Sequence, residues 1–326
     1  KVKLIIDDGS APEGVITNID TPFRIGKVND AMSNTHKPLI VGNNYYFASK
    51  IEYNHTKGLT TTDGGGVYLL KMDLQSHNVT ILEKLHTQDN WGGSYPHSSI
   101  MGTENTLPFI YILHHYPDNS GPVILKYNVN TNEFSPPRNG GTSPENNSSF
   151  YHSGFQDGDG TGYGIIVGDY FYIGSSWGDS GPSTRKLRKI HITNKTTDAT
   201  ITLNNDAYNG HSFVSFIEHY NGYLYLFKGG STNPQRGASI ERVNLTDNSV
   251  ENYHYLGDTV TVGFHGAGGN GNLFWISAHL GNNMYKTYKF NIDTKTLNVL
   301  EHLERENSQT PSLAPFIFKG YDNVNG

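Results

Sequence analysis

The chain has 326 residues, a formal net charge of −6 at pH 7 and no cysteine. The negative charge argues against a nucleic-acid partner, because proteins that bind nucleic acids carry a dense basic surface that displaces counterions. The lack of cysteine excludes disulfides, thiolate metal ligands and cysteine nucleophiles, and no apolar segment is long enough to predict insertion into a membrane.

The residue types favour strands and turns over helices. The chain contains 37 Gly, 21 Tyr and 15 Phe, and glycine marks turns whereas aromatic and β-branched residues favour strands. Apolar and polar residues alternate along most of the sequence, and no stretch keeps apolar residues at helical spacing for three turns. These patterns predict an all-β protein, which we expect to be a single domain over residues 1–326.

The N-terminal residues 1–35 contain three short apolar runs that we predict to be strands. They read KVKLIID (1–7), GVITNI (14–19) and PFRIG (22–26). Residues 36–303 then contain five repeats, each of which opens with a histidine and continues into two aromatic-rich runs. The opening histidines are His36, His97, His152, His211 and His265. Two apolar runs joined by a turn predict a β-hairpin in each repeat.

Each repeat continues into a second hairpin that begins with the same four-residue pattern, which we call the recurrent phrase. It consists of a basic residue, any residue, then Asn, Asp or His, and then an aliphatic residue. The copies are KMDL (71–74), KYNV (126–129), KIHI (189–192), RVNL (242–245) and KFNI (289–292). A polar turn and another apolar run follow each copy. Four antiparallel strands, repeated about every 50 to 60 residues, are typical of the blades of a β-propeller.

The C-terminal run SLAPFIFKG (312–320) stands where a sixth repeat would begin. Together with the N-terminal runs it predicts a sixth blade assembled from residues 1–35 and 304–326. Such a composite blade would pair strand edges that are otherwise exposed. The alternative is a propeller of five blades with flanking strands.

Strand order predicts where a functional site would lie. The start of the first strand and the end of the second strand of a blade are neighbours, and the long glycine-rich connections leave from this same end, which we call the loop-bearing end. It brings together His97 with His114 and His115, and His265 with His279. Loops on a rigid scaffold usually carry function, so we expect the site among loops such as 52–66, 175–184 and 229–237.

The residue types at the loop-bearing end favour a glycan ligand. Aromatic rings stack on the apolar faces of sugars, and imidazole, amide and hydroxyl groups bind their rims. The expected ligand-binding residues are Trp91, Tyr95, His97, His114, Tyr151, Trp177, Tyr208, His265 and His279. The alternative interpretation is that the recurrent histidines, above all His36, His152 and His211, and the aromatic residues simply pack between blades.

The repeats resemble those of BNR- and kelch-like propellers. A histidine that opens the inner hairpin and another that closes it resemble two subgroups more closely, namely the receptor-binding propellers of phage tail fibres and the propeller polysaccharide lyases such as ulvan lyases. The Asp box of sialidases is absent. The first resemblance implies a glycan-binding domain of a larger fibre or cell-surface adhesin, outside the cell or on a virion surface.

The second resemblance implies β-elimination from a uronate, which needs a cation on the carboxylate, a base and an acid. His97 or His115 would be the base, Tyr95 or Tyr151 the acid, and Arg185 or Arg236 the cation. Neither interpretation predicts a cofactor or a metal, because DGDGTG (157–162) has Gly168 where a calcium loop needs an acidic residue. We favour glycan recognition over the lyase, since no complete catalytic set is evident.

Overall fold

The computed structural model of the chain contains 26 strands among its described residues, numbered β1 to β26, and no helix. No segment within these residues could therefore cross a membrane as a helix. The described residues are 2–6, 15–19, 39–51, 66–76, 78–87, 97–103, 109–115, 122–134, 150–151, 160–177, 186–204, 214–228, 231–232, 235–236, 239–256, 264–279, 285–303 and 316–317.

The strands of the five repeats form five antiparallel sheets, numbered here as blades 1 to 5. Blade 1 contains β3 (Leu39–Val41), β4 (Asn44–Ile51), β5 (Gly66–Asp73) and β6 (Val79–Thr87). Blade 2 contains β7 (His97–Thr103), β8 (Phe109–His115), β9 (Pro122–Asn128), β10 (Glu133–Phe134) and β11 (Phe150–Tyr151). Blade 3 contains β12 (Gly160–Val167), β13 (Tyr170–Trp177), β14 (Lys186–His191) and β15 (Thr197–Thr202).

Blades 4 and 5 follow the same order. Blade 4 contains β16 (Val214–Tyr220), β17 (Tyr223–Lys228), β20 (Ser239–Asn244) and β21 (Val250–Tyr255), with the short strands β18 (Ser231–Thr232) and β19 (Gln235–Arg236) between β17 and β20. Blade 5 contains β22 (Phe264–Asn270), β23 (Leu273–His279), β24 (Tyr285–Asn291) and β25 (Thr296–Leu303). Consecutive four-stranded antiparallel sheets of this kind confirm the predicted β-propeller.

The two ends of the chain meet in one sheet, as the composite sixth blade requires. β1 (Val2–Ile6) pairs antiparallel with β2 (Val15–Ile19) and parallel with β26 (Phe316–Ile317). Of the third predicted N-terminal strand, residues 22–26, none lies within the described residues. β1 is therefore paired on both edges, which removes one exposed edge from the sheet.

The chain divides into two compact units. Lys1–Gln156 with Gln309–Gly326 form the first, which holds blades 1 and 2 and the composite sheet, and Asp157–Ser308 form the second, which holds blades 3 to 5. Within the second unit the first strands of successive blades lie side by side, β12 next to β16 and β16 next to β22. This arrangement of first strands is the one expected for neighbouring propeller blades.

Two details of the strands were not predicted. The outer edge of blade 2 is formed by two short strands, since β10 and β11 both pair with β9 while residues 135–149 lie between them in the sequence. In blade 4, β18 and β19 pair as a two-stranded ribbon, with Ser231 opposite Arg236 and Thr232 opposite Gln235. The prediction treated this second segment only as a glycine-rich loop.

The recurrent phrase is explained by the turns that it begins. Its third residue accepts backbone N–H groups of the following turn, and Asn291 shows this most clearly, because its Oδ1 accepts from Asp293 and Thr294 at 3.0 Å each. Local acceptors of this kind stabilise tight turns. The residues in this position are Asp73, Asn128, His191, Asn244 and Asn291.

The flanking residues of the phrase connect the turn to its blade. In blade 5 the N–H of Ile292, the aliphatic residue, donates to the carbonyl of Asn272 at 2.8 Å, and that carbonyl belongs to the turn between β22 and β23. The basic residue at the start of the phrase lies over an aromatic ring at the start of the second strand, a favourable cation–π contact. The observed pairs are Lys126 with Phe109, Lys189 with Tyr170 and Arg242 with Tyr223, at 4.1, 4.2 and 4.3 Å.

The apolar core lies between the faces of adjacent blades. In the first unit, Leu69 of blade 1 and Ile110 of blade 2 belong to one buried cluster. In the second unit, a cluster extends from Leu187 in blade 3 through Phe227 in blade 4 to Phe274 in blade 5, and all three side chains are fully buried. Strands whose two faces are both covered in this way are rich in apolar and aromatic residues, which fits the observed runs such as YLYLFK in β17.

Candidate functional site

The loop-bearing end of blade 2 brings three of the predicted histidines together. In the β7–β8 pair, His97 lies directly opposite His115, and Ser98 lies directly opposite His114. Residues that face each other across an antiparallel pair lie on the same face of the sheet, a few ångströms apart. The register thus places His97 and His115 at directly opposed positions, and Ser98 and His114 at the next pair of positions along the strands.

Tyr151 lies at the outer edge of the blade, in the same row of register partners across the strands as His114. Tyr151 in β11 lies opposite Val123 in β9, and Val123 lies opposite His114 in β8. Because neighbouring strands are about 4.8 Å apart, the backbones of His114 and Tyr151 are separated by roughly 10 Å. His97, His115 and Pro122 form the neighbouring row. Successive residues of a strand alternate between the two faces of the sheet, so these two rows belong to opposite faces.

The other predicted histidine pair has a different geometry. In blade 5, Phe264 lies opposite Ala278 and Gly266 opposite Ser277, so His265 occupies a β-bulge without a partner of its own in the register. His279 lies opposite Tyr285 of the next strand. Bulges redirect the strand locally and are frequent near functional sites. His265 and His279 are thus near the same end of blade 5 but are not directly opposite each other.

The remaining predicted residues are distributed over the second unit or lie outside the described residues. Trp177 ends β13 opposite Gly160, and Arg236 lies on the ribbon that extends between β17 and β20. Tyr285 of β24 is also at the loop-bearing end of its blade. The predicted site residues that fall outside the described part of the chain are Trp91, Tyr95, Tyr208 and Arg185, together with His36, His152 and His211.

A buried ion pair at the loop-bearing end of blade 4 was missed by the sequence reasoning. The Nζ atom of Lys228 lies 2.6 Å from Oε1 of Glu241, and the two side chains are 1% and 0% exposed. Neither lysine nor glutamate is a residue type that signals burial in a sequence. Burial of both charges is possible because the pair neutralises itself and Lys228 also donates to the carbonyl of Asn204 at 3.3 Å.

Tyrosines with perturbed acidity lie in the core. Burial raises the pKa of Tyr172 to about 12, and burial also raises the pKa of Tyr127 above its usual range. Both hydroxyls are therefore protonated at neutral pH and are not candidate bases. Among the side chains that the structure describes, no three histidines and carboxylates are grouped to hold a metal ion.

No family model and no curated protein matches the chain. Among solved structures it is similar to puromycin hydrolase, with a TM-score of 0.48, 8% identity, and coverage of 90% of this chain and 41% of that one. It is also similar to a putative 6-phosphogluconolactonase from Bacteroides fragilis, with a TM-score of 0.45, 13% identity and coverage of 82% and 69%. For TolB from Acinetobacter baumannii the values are 0.44, 14%, 72% and 48%.

The chain therefore spans about two fifths of puromycin hydrolase and about half of TolB. At such identities these likenesses transfer neither an activity nor the role of any residue.

Proposed function

We propose that the chain is a glycan-recognition propeller whose binding surface lies at the loop-bearing end of blade 2. The observation that supports this is the register that brings His97 directly opposite His115 at the end of the β7–β8 pair. Imidazole and phenol groups combine an apolar ring with a polar edge, which is the chemistry that sugar rings require. Trp91 and Tyr95 precede β7 in the sequence and would extend the same surface.

The partner in this proposal is a polysaccharide or a cell-surface glycan, with no part for nucleic acid, membrane insertion, cofactor or metal. The similarity of the repeats to BNR- and kelch-like propellers, and to the receptor-binding propellers of phage tail fibres, suggests a domain of a larger fibre or adhesin. Such a protein would act outside the cell or on a virion surface.

The second candidate function is a polysaccharide lyase, and the direct opposition of His97 and His115 is what favours it. One neutral imidazole would take the proton next to the uronate carboxyl group, and the bond to the leaving oxygen would break as the double bond forms. Tyr151 would protonate that oxygen, and a cation would have to neutralise the carboxylate. Arg236, the predicted cation, belongs to the second compact unit, whereas His97, His115 and Tyr151 belong to the first. The weakness of this alternative is the position of Tyr151, which lies in register through Val123 with His114 and not with His97 or His115.

One experiment separates the two functions. The protein is applied to an array of glycans and is also incubated with uronate-rich polysaccharides while the ultraviolet absorbance is followed. Only elimination creates a conjugated double bond, so that retention on the array without an absorbance increase is the result expected for a binding domain. An absorbance increase that is lost in His97→Ala would establish the lyase instead, and neither signal on any glycan would contradict both functions.

A further inference from the structure

Blade 3 uses a histidine where the recurrent phrase of every other blade has an asparagine or an aspartate. Nδ1 of His191 accepts the backbone N–H groups of Thr193 at 3.2 Å and of Asn194 at 3.3 Å. An amide oxygen remains an acceptor throughout the range around neutral pH, whereas both nitrogens of an imidazole become donors once the ring is protonated. The outer turn of blade 3 is therefore held by an acceptor that a proton removes. The residues in the same position of the other phrases are Asp73, Asn128, Asn244 and Asn291.

The outer turn of blade 5 has nearly the same sequence and backbone as that of blade 3. The two turns read HITNKT (191–196) and NIDTKT (291–296). Lys195 and Lys295 have positive φ angles of 58° and 56° at the same place in the two turns. In both blades the N–H of the aliphatic residue donates at 2.8 Å to a carbonyl of the turn between the first and second strands. Blade 5 is thus a matched turn whose acceptor does not titrate.

The surroundings of His191 do not supply another group that changes charge near neutral pH. Its ring packs edge-on against the ring of Tyr170, its register partner in β13, at 5.2 Å. A hydrogen bond with Asp198 in β15 raises the pKa of Tyr170, so the phenol stays protonated where histidines titrate. Among the described residues, the charged groups around this pair are two carboxylates and two ammonium groups, whose formal charges cancel. They are Asp169, Asp198, Lys189 and Lys195.

We propose that His191 makes the outer turn of blade 3 sensitive to acid. Histidine is the side chain that ordinarily gains its proton between about pH 8 and pH 5. While the ring is neutral its proton lies on Nε2, and Nδ1 accepts from Thr193 and Asn194. A proton on Nδ1 places a donor against these two N–H groups, so both bonds are lost and the turn opens. The opening is local, because the backbone pairing of β14 with β15 does not involve the imidazole.

The test is amide hydrogen exchange of the full chain, resolved by residue with NMR and expressed as protection relative to an unstructured chain at the same pH. Between about pH 8 and pH 5 we expect the protection of Thr193 and Asn194 to fall by about tenfold. The equivalent amides of blade 5, Asp293 and Thr294, should keep their protection. His191→Asn should keep the turn of blade 3 closed at both pH values.

The reciprocal variant Asn291→His transfers the device to the matched turn. In this variant the protection of Asp293 and Thr294 should fall with pH as that of Thr193 and Asn194 does in the wild type. Should Asn291→His fail to fold, the comparison of His191→Asn with the wild type decides alone.

Three results would overturn the proposal. The first is equal protection, or none, of Thr193 and Asn194 at the two pH values. The second is a neutral His191 ring whose proton lies on Nδ1, which the nitrogen chemical shifts of the imidazole report. The third is a loss of protection along all of β12 to β15 at pH 5, because the blade would then unfold as a whole and not at its turn.

Discussion

The hydroxyl of Tyr253 in blade 4 donates a hydrogen bond to the backbone carbonyl of Ile292 in blade 5. The ring of Tyr253 also lies under the ammonium group of Lys295, at 4.3 Å. Because the bond joins two blades, Tyr253→Phe should lower the free energy of unfolding by about 0.5 to 1.5 kcal/mol. Denaturant unfolding measures this change. Tyr223→Phe is the control, because Arg242 lies over the ring of Tyr223 and the variant keeps that ring. Equal losses in the two variants would contradict the role of the hydroxyl.

The turn residue of the recurrent phrase predicts a second stability difference. Asn291→Ala removes the acceptor of two backbone N–H groups, and we expect a loss of about 1 kcal/mol, since water can replace part of this bond at an exposed turn. His191→Asn should preserve stability, because Nδ1 of His191 accepts from Thr193 and Asn194 in the way that the asparagines of other blades do. The interpretation fails if His191→Asn costs as much as Asn291→Ala in thermal or denaturant unfolding.

His254 predicts a dependence of stability on pH. Its ring stacks on Phe290 at 5.4 Å, and burial, followed by the charge of Lys295, lowers the pKa of His254 below its ordinary value of 6.5. Folding thus favours the neutral imidazole. The stability that His254 contributes is complete above pH 6.5 and is lost as the pH falls through the lower pKa of the folded state. The unfolding midpoint of the wild type should fall more steeply than that of His254→Leu between about pH 7 and pH 5. Parallel curves over this range would show that His254 does not contribute.

The packing between blades 4 and 5 predicts a large effect for one aromatic residue. Phe274 is fully buried, and its ring lies 5.8 Å from that of Tyr225 and 5.6 Å from that of Phe227. Phe274→Ala would leave a cavity and should cost about 3 to 5 kcal/mol. Val299→Ala in the same blade is the control, since Val299 is 55% exposed and its loss should cost less than about 0.5 kcal/mol. A small effect of Phe274→Ala would mean that the two blades are not packed through this ring.

The features that the sequence predicted are those that repeat. They are the alternating runs, the phrase before each outer turn and the histidine at the start of β7. Each is a local pattern of the sequence, and local patterns determine strands and turns directly. Asn291 illustrates this well, because the side chain that accepts from its own turn is visible in the sequence as the repeated Asn, Asp or His.

The features that the sequence did not predict depend on tertiary contacts. Lys228 and Glu241 look like surface residues, and only the packing of blade 3 against blade 4 buries them. The ribbon strands Ser231–Thr232 and Gln235–Arg236 follow Gly230 and are separated by Pro234 in the sequence, and these residues indicate a loop rather than strands. The opposition of His97 and His115, in contrast to the bulge at His265, depends on where the irregularity falls in the first strand, between Ile100 and Gly102 in blade 2 and between Phe264 and Gly266 in blade 5.

The histidines of blade 2 provide the last prediction. If His97 and His115 bind a glycan, His97→Ala and His115→Ala should each weaken retention on the array by about tenfold or more, which corresponds to roughly 1.4 kcal/mol of binding free energy. The unfolding midpoint should change little. A histidine that only bonds to a buried backbone group would behave in the opposite way, because its removal leaves that group without a partner and costs about 1 to 3 kcal/mol of stability. His191→Asn serves as the matched control, since His191 lies at the turn of blade 3 and accepts from its own turn. Variants of His97 and His115 that lose stability but keep full glycan affinity would show that the pair belongs to the scaffold, and the binding surface would then have to be sought at other aromatic residues, such as Tyr151 in blade 2.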